Sequence, residues 1–260
     1  MAEDVQELTS PDRVVRVAAL DRLVDRAAKG DQAAVSTLRM VVTGYRRYDV
    51  EIYTRTLNRL WLFGDQSLEQ PLLDALADSD YGCQAWTATA LGRLGLRAAE
   101  PQLIALSKHP DPLTRESVCR ALGKLSSTAA VASLLTDEME FVRAAASDAL
   151  ADIGGDDALA YLWAAFESRQ YVRLGYLAVA VARFGPAVFD RLVRAAADDD
   201  AEMRFWAARA LGATGDQRAA PVLSRLAADD HATTRTGAHV STAAKRAFKT
   251  LRRMQPATGF

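Results

Sequence analysis

Ala90-Leu91-Gly92-Arg93-Leu94-Gly95 returns as Ala121-Leu122-Gly123-Lys124-Leu125, as Ala149-Leu150-Ala151-Asp152-Ile153-Gly154 and as Ala210-Leu211-Gly212-Ala213-Thr214-Gly215. Extending the leucine column to its weaker members gives Leu60, Leu91, Leu122, Leu150, Val181 and Leu211, with steps of 31, 31, 28, 31 and 30 residues. A period of this length marks an array of helical hairpins in which each unit covers the apolar face of its neighbour. The phrase itself reads as the end of an amphipathic helix, closed by a glycine that can take the left-handed conformation.

The stretch from Asp199 to Asp229 shows one unit most clearly. After Asp199-Asp200 a helix runs through Met203-Arg204-Phe205-Trp206-Ala207-Ala208-Arg209-Ala210-Leu211-Gly212 and breaks at Gly215-Asp216. A second run, Ala219-Ala220-Pro221-Val222-Leu223-Ser224-Arg225-Leu226, tolerates its proline only in a first helical turn. Pro71 and Pro101 occupy the same place in their units. An acidic turn residue followed by arginine also recurs, as Asp111 with Arg115, Asp137 with Arg143, Asp200 with Arg204 and Asp230 with Arg235.

This combination resembles the HEAT-repeat superfamily, especially the short bacterial units called phycobilisome-lyase HEAT-like repeats, strongly over residues 80–229 and weakly over 48–79. The resemblance implies an all-α, right-handed helical-repeat solenoid of units of about 31 residues. It also implies a structural ladder of aspartate and arginine along the stack, and second helices that line a concave face. The expected organisation is one solenoid domain over 1–260. Within it, 1–47 is an irregular N-terminal cap, 48–229 the repeats, 230–253 a C-terminal capping helix and 254–260 a frayed tail. The step of 28 residues between Leu122 and Leu150 predicts a tightened turn at Ser126-Ser127-Thr128.

Composition bounds the function. Half of the residues are apolar, a quarter are charged and the formal net charge is −1, which speaks against wholesale nucleic-acid binding. There is no apolar run of membrane-spanning length and no charged-then-apolar leader, so a cytoplasmic protein without a membrane partner is expected. Cys83 and Cys119 lack metal-binding spacing and read as reduced, packed thiols. Histidines are three, His109, His231 and His239, and none belongs to a metal-spaced set; with no His-Glu pair, P-loop or nucleophile elbow, no catalytic residue, metal or cofactor is expected.

Candidate binding residues follow from helix geometry. With each second helix numbered from its arginine position as zero, positions 3, 4, 6, 7 and 10 form the apolar side, and 1, 2, 5, 8 and 9 remain for the concave face. Position 2 carries Trp86, Ser117, Ala145, Tyr176 and Trp206; position 5 carries Thr89, Arg120, Asp148, Val179 and Arg209; position 9 carries Arg93, Lys124, Asp152, Arg183 and Ala213. Phe205 adds a ring at position 1. Trp86, Arg93, Arg120, Lys124, Tyr176, Arg183, Phe205, Trp206 and Arg209 are therefore the expected binding set, aromatic anchors beside bases. Asp148 and Asp152 interrupt the basic column, which favours a protein or peptide partner over a nucleic-acid strand.

The leading expectation is a monomeric, non-catalytic protein-binding scaffold acting as adaptor, assembly factor or inhibitor. One alternative is an enzyme or enzyme subunit of bilin-lyase-like or DNA-glycosylase-like type. Another is nucleic-acid or other anion binding through Arg235, Lys245, Lys249, Arg252 and Arg253, where no acid interrupts residues 231–253.

Overall fold

The computed structural model describes residues 2–168 and 175–254; residues 255–260, which make up all but Met254 of the expected tail, lie outside them. The described residues form sixteen helices and no β-strand. Contacts cluster into two compact units, Met1–Ala130 and Val131–Phe260. The first holds α1 (Ala2–Leu8), α2 (Arg13–Ala28), α3 (Gln32–Thr43), α4 (Val50–Leu57), α5 (Glu69–Ala77), α6 (Gln84–Leu94), α7 (Glu100–Leu106) and α8 (Pro112–Lys124). After α9 (Thr128–Ser133), the second holds α10 (Glu140–Ile153), α11 (Gly155–Glu167), α12 (Gly175–Ala182), α13 (Phe189–Ala195), α14 (Ala201–Ala213), α15 (Ala220–Asp229) and α16 (Val240–Arg253). The chain is an α-solenoid of helical hairpins in which the even-numbered helices are the second helices.

The leucine column is the core. Leu91, Leu122, Leu150, Val181 and Leu211 are fully buried and Leu60 nearly so. Positions 3, 4 and 6 bury with them, as Ala207, Ala208 and Ala210 in α14 and as Val118, Cys119 and Ala121 in α8. Both cysteines are free and buried, and burial pushes the Cys83 thiol up, away from the reactive thiolate.

Position 8 departs from the helical-wheel expectation. Gly92 and Gly212 are not on an open face but at the points where successive second helices touch. A Cβ on Gly92 would lie 2.6 Å from Ala121 Cα, and one on Gly212 would lie 2.6 Å from Ala247 Cβ. Two helix backbones that approach this closely leave room only for hydrogen at the crossing. The constraint also fixes the register of α16, because Ala247 stands opposite Gly212 as Ala121 stands opposite Gly92.

The recurring arginine closes the hairpins that carry it. Nη1 donates to the carbonyls six and five residues upstream: Arg115 to His109 (2.8 Å) and Pro110 (3.2 Å), Arg143 to Asp137 (2.6 Å) and Glu138 (2.9 Å), Arg204 to Asp198 (2.8 Å) and Asp199 (2.9 Å). The guanidinium fork thereby satisfies turn carbonyls that the first helix leaves unpaired. Two of the aspartates that precede an arginine also cap the second helix. Asp111 accepts from the N–H groups of Leu113 and Thr114, and Asp200 from that of Glu202. Arg204 also reaches forward to Asp230 of the next unit (Nε to Oδ2, 2.6 Å), a rung of the kind the ladder expectation describes, and Arg235 is exposed. Arg204 holds the Asp230 carboxyl below the usual carboxylate range through this bond, and burial opposes the shift.

The first 47 residues are more regular than their sequence suggests. Arg16 in α2 donates to the carbonyls of Ser10 (2.8 Å) and Pro11 (3.0 Å), with Asp49 at 3.7 Å, so the same clamp is present ahead of the recognisable repeats. In the weakly matching unit the clamp position is Tyr53 of α4, fully buried, whose ring packs at 5.8 Å from Tyr45 and 5.6 Å from Tyr81. The short step is accounted for at Ser126. Gly95 and Gly215 are each followed by a 3₁₀ turn before the next helix, Arg97–Ala99 and Gln217–Ala219. Ser126 takes the same left-handed conformation (φ 58°) and α9 begins directly at Thr128, so the three missing residues are that turn. At the other end, α16 starts only at Val240; residues 230–239 are a loop with one antiparallel bridge, Thr233 to His239, not part of a capping helix.

Two expected outcomes follow. Gly212→Ala should lower stability by roughly 1–3 kcal/mol in chemical denaturation, since overpacking at this crossing has no flexible side chain to displace. Arg204→Ala should cost about 3 kcal/mol at neutral pH by leaving Asp230 and two carbonyls without their donor. The Asp230 carboxyl is depressed in the folded state, so its contribution is full above the unfolded pKa of about 3.9 and is lost as pH falls through the folded value. The stability gap between wild type and Asp230→Asn should therefore close on acidification below about pH 4.

Candidate binding groove on the second helices

The nine expected binding residues divide between the two units. In the first unit Trp86 is 47% exposed and unstacked, and Arg93 and Lys124 are exposed. Arg120 is paired with Glu116 of its own helix (2.8 Å). Trp61, absent from the expected set, is 75% exposed, the most exposed large apolar residue described. It directly follows Leu60 of the leucine column, where the other units carry glycine or alanine, and that contrast is the sequence signal that could have found it.

The second unit builds an open concave feature. A groove of about 500 Å³ runs between α14 and α16, with Val179 of α12 at its edge. Its walls are position 1 (Phe205), position 5 (Arg209) and position 9 (Ala213) of α14, and the matching Thr242, Arg246 and Thr250 of α16, together with His239. Positions 1, 5 and 9 of α14 thus line one groove. What the sequence did not place is Arg246: it was legible as a base, but only the Gly212–Ala247 contact sets the register that turns it into the groove. None of Arg235, Lys245, Lys249, Arg252 and Arg253 lines the groove, although all five are exposed.

Local interactions divide the aromatic and basic residues into fixed and available. Trp206 is partly buried and fixed: its indole N–H donates to Glu202 Oε1 (2.8 Å), its ring meets Phe205 edge to face (4.9 Å), and Gly175 lies against its other side, where a Cβ would stand 3.2 Å from the ring. The Arg209 guanidinium sits 5.1 Å from the Trp206 ring centroid, a cation–π contact that orients it while leaving hydrogen-bond donors free. Tyr176 is partly buried and its hydroxyl accepts from Arg143 Nε (3.0 Å), so it belongs to the clamp of the preceding hairpin. Arg183 is paired with Asp152 (2.6 Å). Phe205, Arg209 and Arg246 are left as the groove's own groups, and no carboxylate pairs with either arginine among the described residues. A second hollow of about 470 Å³ lies on the first-helix side, between Trp163, Glu167, Arg191, Arg194 and Asp198; its charges are mixed.

Among the described residues no group of three or more His, Cys, Asp or Glu is placed to hold a metal ion, and no helix is long and apolar enough to cross a membrane.

Paired antiparallel helices, a buried leucine column and an arginine clamp repeated from hairpin to hairpin define a helical-repeat scaffold. The sequence model of the HEAT repeats matches residues 69–136 and 169–242, more than half of the chain, and the chain belongs to that family. No curated protein sequence matches it. Among solved structures it is similar to the complex of CpcE and CpcF of phycocyanin lyase from Nostoc sp. PCC7120, at 20% identity over 98% of this chain and 88% of that one, with a TM-score of 0.43. It is also similar to human deoxyhypusine hydroxylase in complex with glycerol, at 19% identity over 97% and 96% of the two chains and a TM-score of 0.40. A designed armadillo repeat protein in complex with the peptide (KR)4 is similar at 17% identity over 95% and 98%, with a TM-score of 0.35.

The two tryptophans should respond differently to truncation. Trp206→Ala removes a ring held on several sides and should cost roughly 2 kcal/mol or more in thermal or chemical unfolding, whereas Trp86→Ala should stay within about 1 kcal/mol of wild type.

Proposed function

We propose that this protein is a non-catalytic scaffold that binds another protein or peptide along the exposed face of its second helices, acting as a cytoplasmic monomer in an adaptor, assembly or inhibitor role. The observation that carries the reading is the groove between α14 and α16, where an aromatic ring and two unpaired arginines converge from adjacent helices. Rigid aromatic and arginine side chains in a recess are the groups from which binding hot spots are made. The fixed Trp206 supports the same reading, because it holds Phe205 and Arg209 in place before a partner arrives and so lowers the ordering cost of association.

An enzyme acting in this groove would need an acid, base or nucleophile at its wall. The described walls carry no carboxylate. The exposed Trp61 and Trp86 of the first unit add apolar surface of the kind partners cover.

A photo-crosslinking amino acid tests the assignment of the face. Placed at Phe205 in the full-length chain in its native host, it should yield discrete adducts with a partner protein. Placed at Arg225, exposed on the first helix α15, it should yield none. Adducts from position 225 alone would place binding on the opposite side and refute the reading.

A further inference from the structure

We propose that the groove takes an acidic peptide segment carrying an apolar side chain, with the apolar group against Phe205 and carboxylates on Arg209 and Arg246. The inference rests on the preceding reading that this face binds a protein, and it specifies the chemistry of the segment bound.

Charge complementarity is the first ground. No aspartate or glutamate lines the groove, and Arg209 and Arg246 face it from two adjacent helices. The nearby acids of the same face are already engaged: Glu202 accepts from the indole N–H of Trp206 (2.8 Å) and the backbone N–H of Arg235 (3.2 Å), and Asp152 is paired with Arg183 (2.6 Å). The α14–α16 end of the second unit therefore presents uncompensated positive charge in a recess, where a carboxylate interacts more strongly than on open surface. A bidentate fork on a carboxylate is the pairing to which arginine geometry is suited.

Spacing is the second ground. The Gly212–Ala247 contact brings α14 and α16 to the close end of helix packing, an axial separation of about 8 Å. An extended peptide places side chains two residues apart about 6.8 Å from each other on the same side. An apolar residue at Phe205 thus sets carboxylates two to four residues away within reach of Arg209 and Arg246. A nucleic-acid strand fits less well: exposed Asp148 and Asp152 stand on α10 of the same unit, and Val179 beside Phe205 is apolar and half exposed.

Selection of random dodecapeptides displayed on phage, panned on the immobilised full-length protein, tests this without choosing a sequence in advance. Enriched peptides should combine Asp or Glu with an apolar residue two to four positions away. By fluorescence anisotropy, Arg209→Glu or Arg246→Glu should weaken the best of them at least about tenfold. Both arginines are exposed, so the variants should keep the wild-type helicity and melting temperature, which are measured alongside. Enrichment of neutral or basic peptides that lose binding in Phe205→Ala would overturn the acidic assignment and leave the groove reading standing. No enrichment, together with no crosslink from position 205, would overturn both. Acidic peptides that bind the two reversed variants as well as wild type would remove the arginines from the site. A labelled single-stranded DNA oligonucleotide that binds more tightly than the selected peptides and depends on the same arginines would reassign the groove to nucleic acid.

Discussion

The close contact between successive second helices is the constraint on which the described architecture depends. Where Gly92 meets Ala121 and Gly212 meets Ala247, the glycine lies directly against the alanine's backbone and Cβ, with no room for a side chain of its own. That contact fixes three things at once: the separation of neighbouring hairpins, the rotation of each second helix about its axis, and so the residues that are left facing outward. Once α14 and α16 are locked through Gly212, positions 1, 5 and 9 of both must border the same recess. The groove is a consequence of small residues elsewhere on the helices, not of the residues that line it.

The arginine clamp acts within the hairpin, where this contact acts between hairpins. Each clamp arginine joins the turn between the two helices of its own hairpin, and Arg204 adds a carboxylate of the next hairpin through Asp230. A guanidinium suits the task because one planar group can serve two carbonyls and one carboxylate, which an ammonium cannot do with the same geometry. The first unit gives up the arginine twice: in α4 Tyr53 fills the volume and packs on Tyr45 and Tyr81, and in α6 Gln84 donates to the Leu76 carbonyl (3.1 Å). The weak family likeness of residues 48–79 thus has a physical counterpart, a hairpin closed by rings in place of a salt-bridged fork.

Part of the candidate groove is legible in the sequence. Phe205 and Arg209 were placed on the outward face by counting from Arg204, and they line the groove. The same count gave Arg120 and Arg183 as binding bases, but the structure shows each neutralised by a nearby acid, Glu116 and Asp152. A helical wheel records direction and cannot record whether a neighbour on the same or an adjacent helix has already taken the charge. Trp206 illustrates a second limit. Its position borders the apolar side, and whether it served as anchor or as support was decided by Gly175 and Glu202. Arg246 has no register in the sequence because the repeat phrase is lost at α16, whereas Trp61 has one from Leu60 but stands at position 8, where the other units carry only glycine or alanine.

The sequence by itself determined the class of fold, the pairing of helices, the buried column and the recurring clamp. These follow from local periodicity, turn chemistry and apolar spacing, all of which act over a few helical turns and are written along the chain. Which turn the 28-residue step removes, which acid each arginine meets, and which outward residues converge on one recess were decided only by tertiary structure. Those outcomes depend on how far one helix stands from the next and how it is rotated, quantities set by contacts such as Gly212 with Ala247 between segments 35 residues apart in the chain.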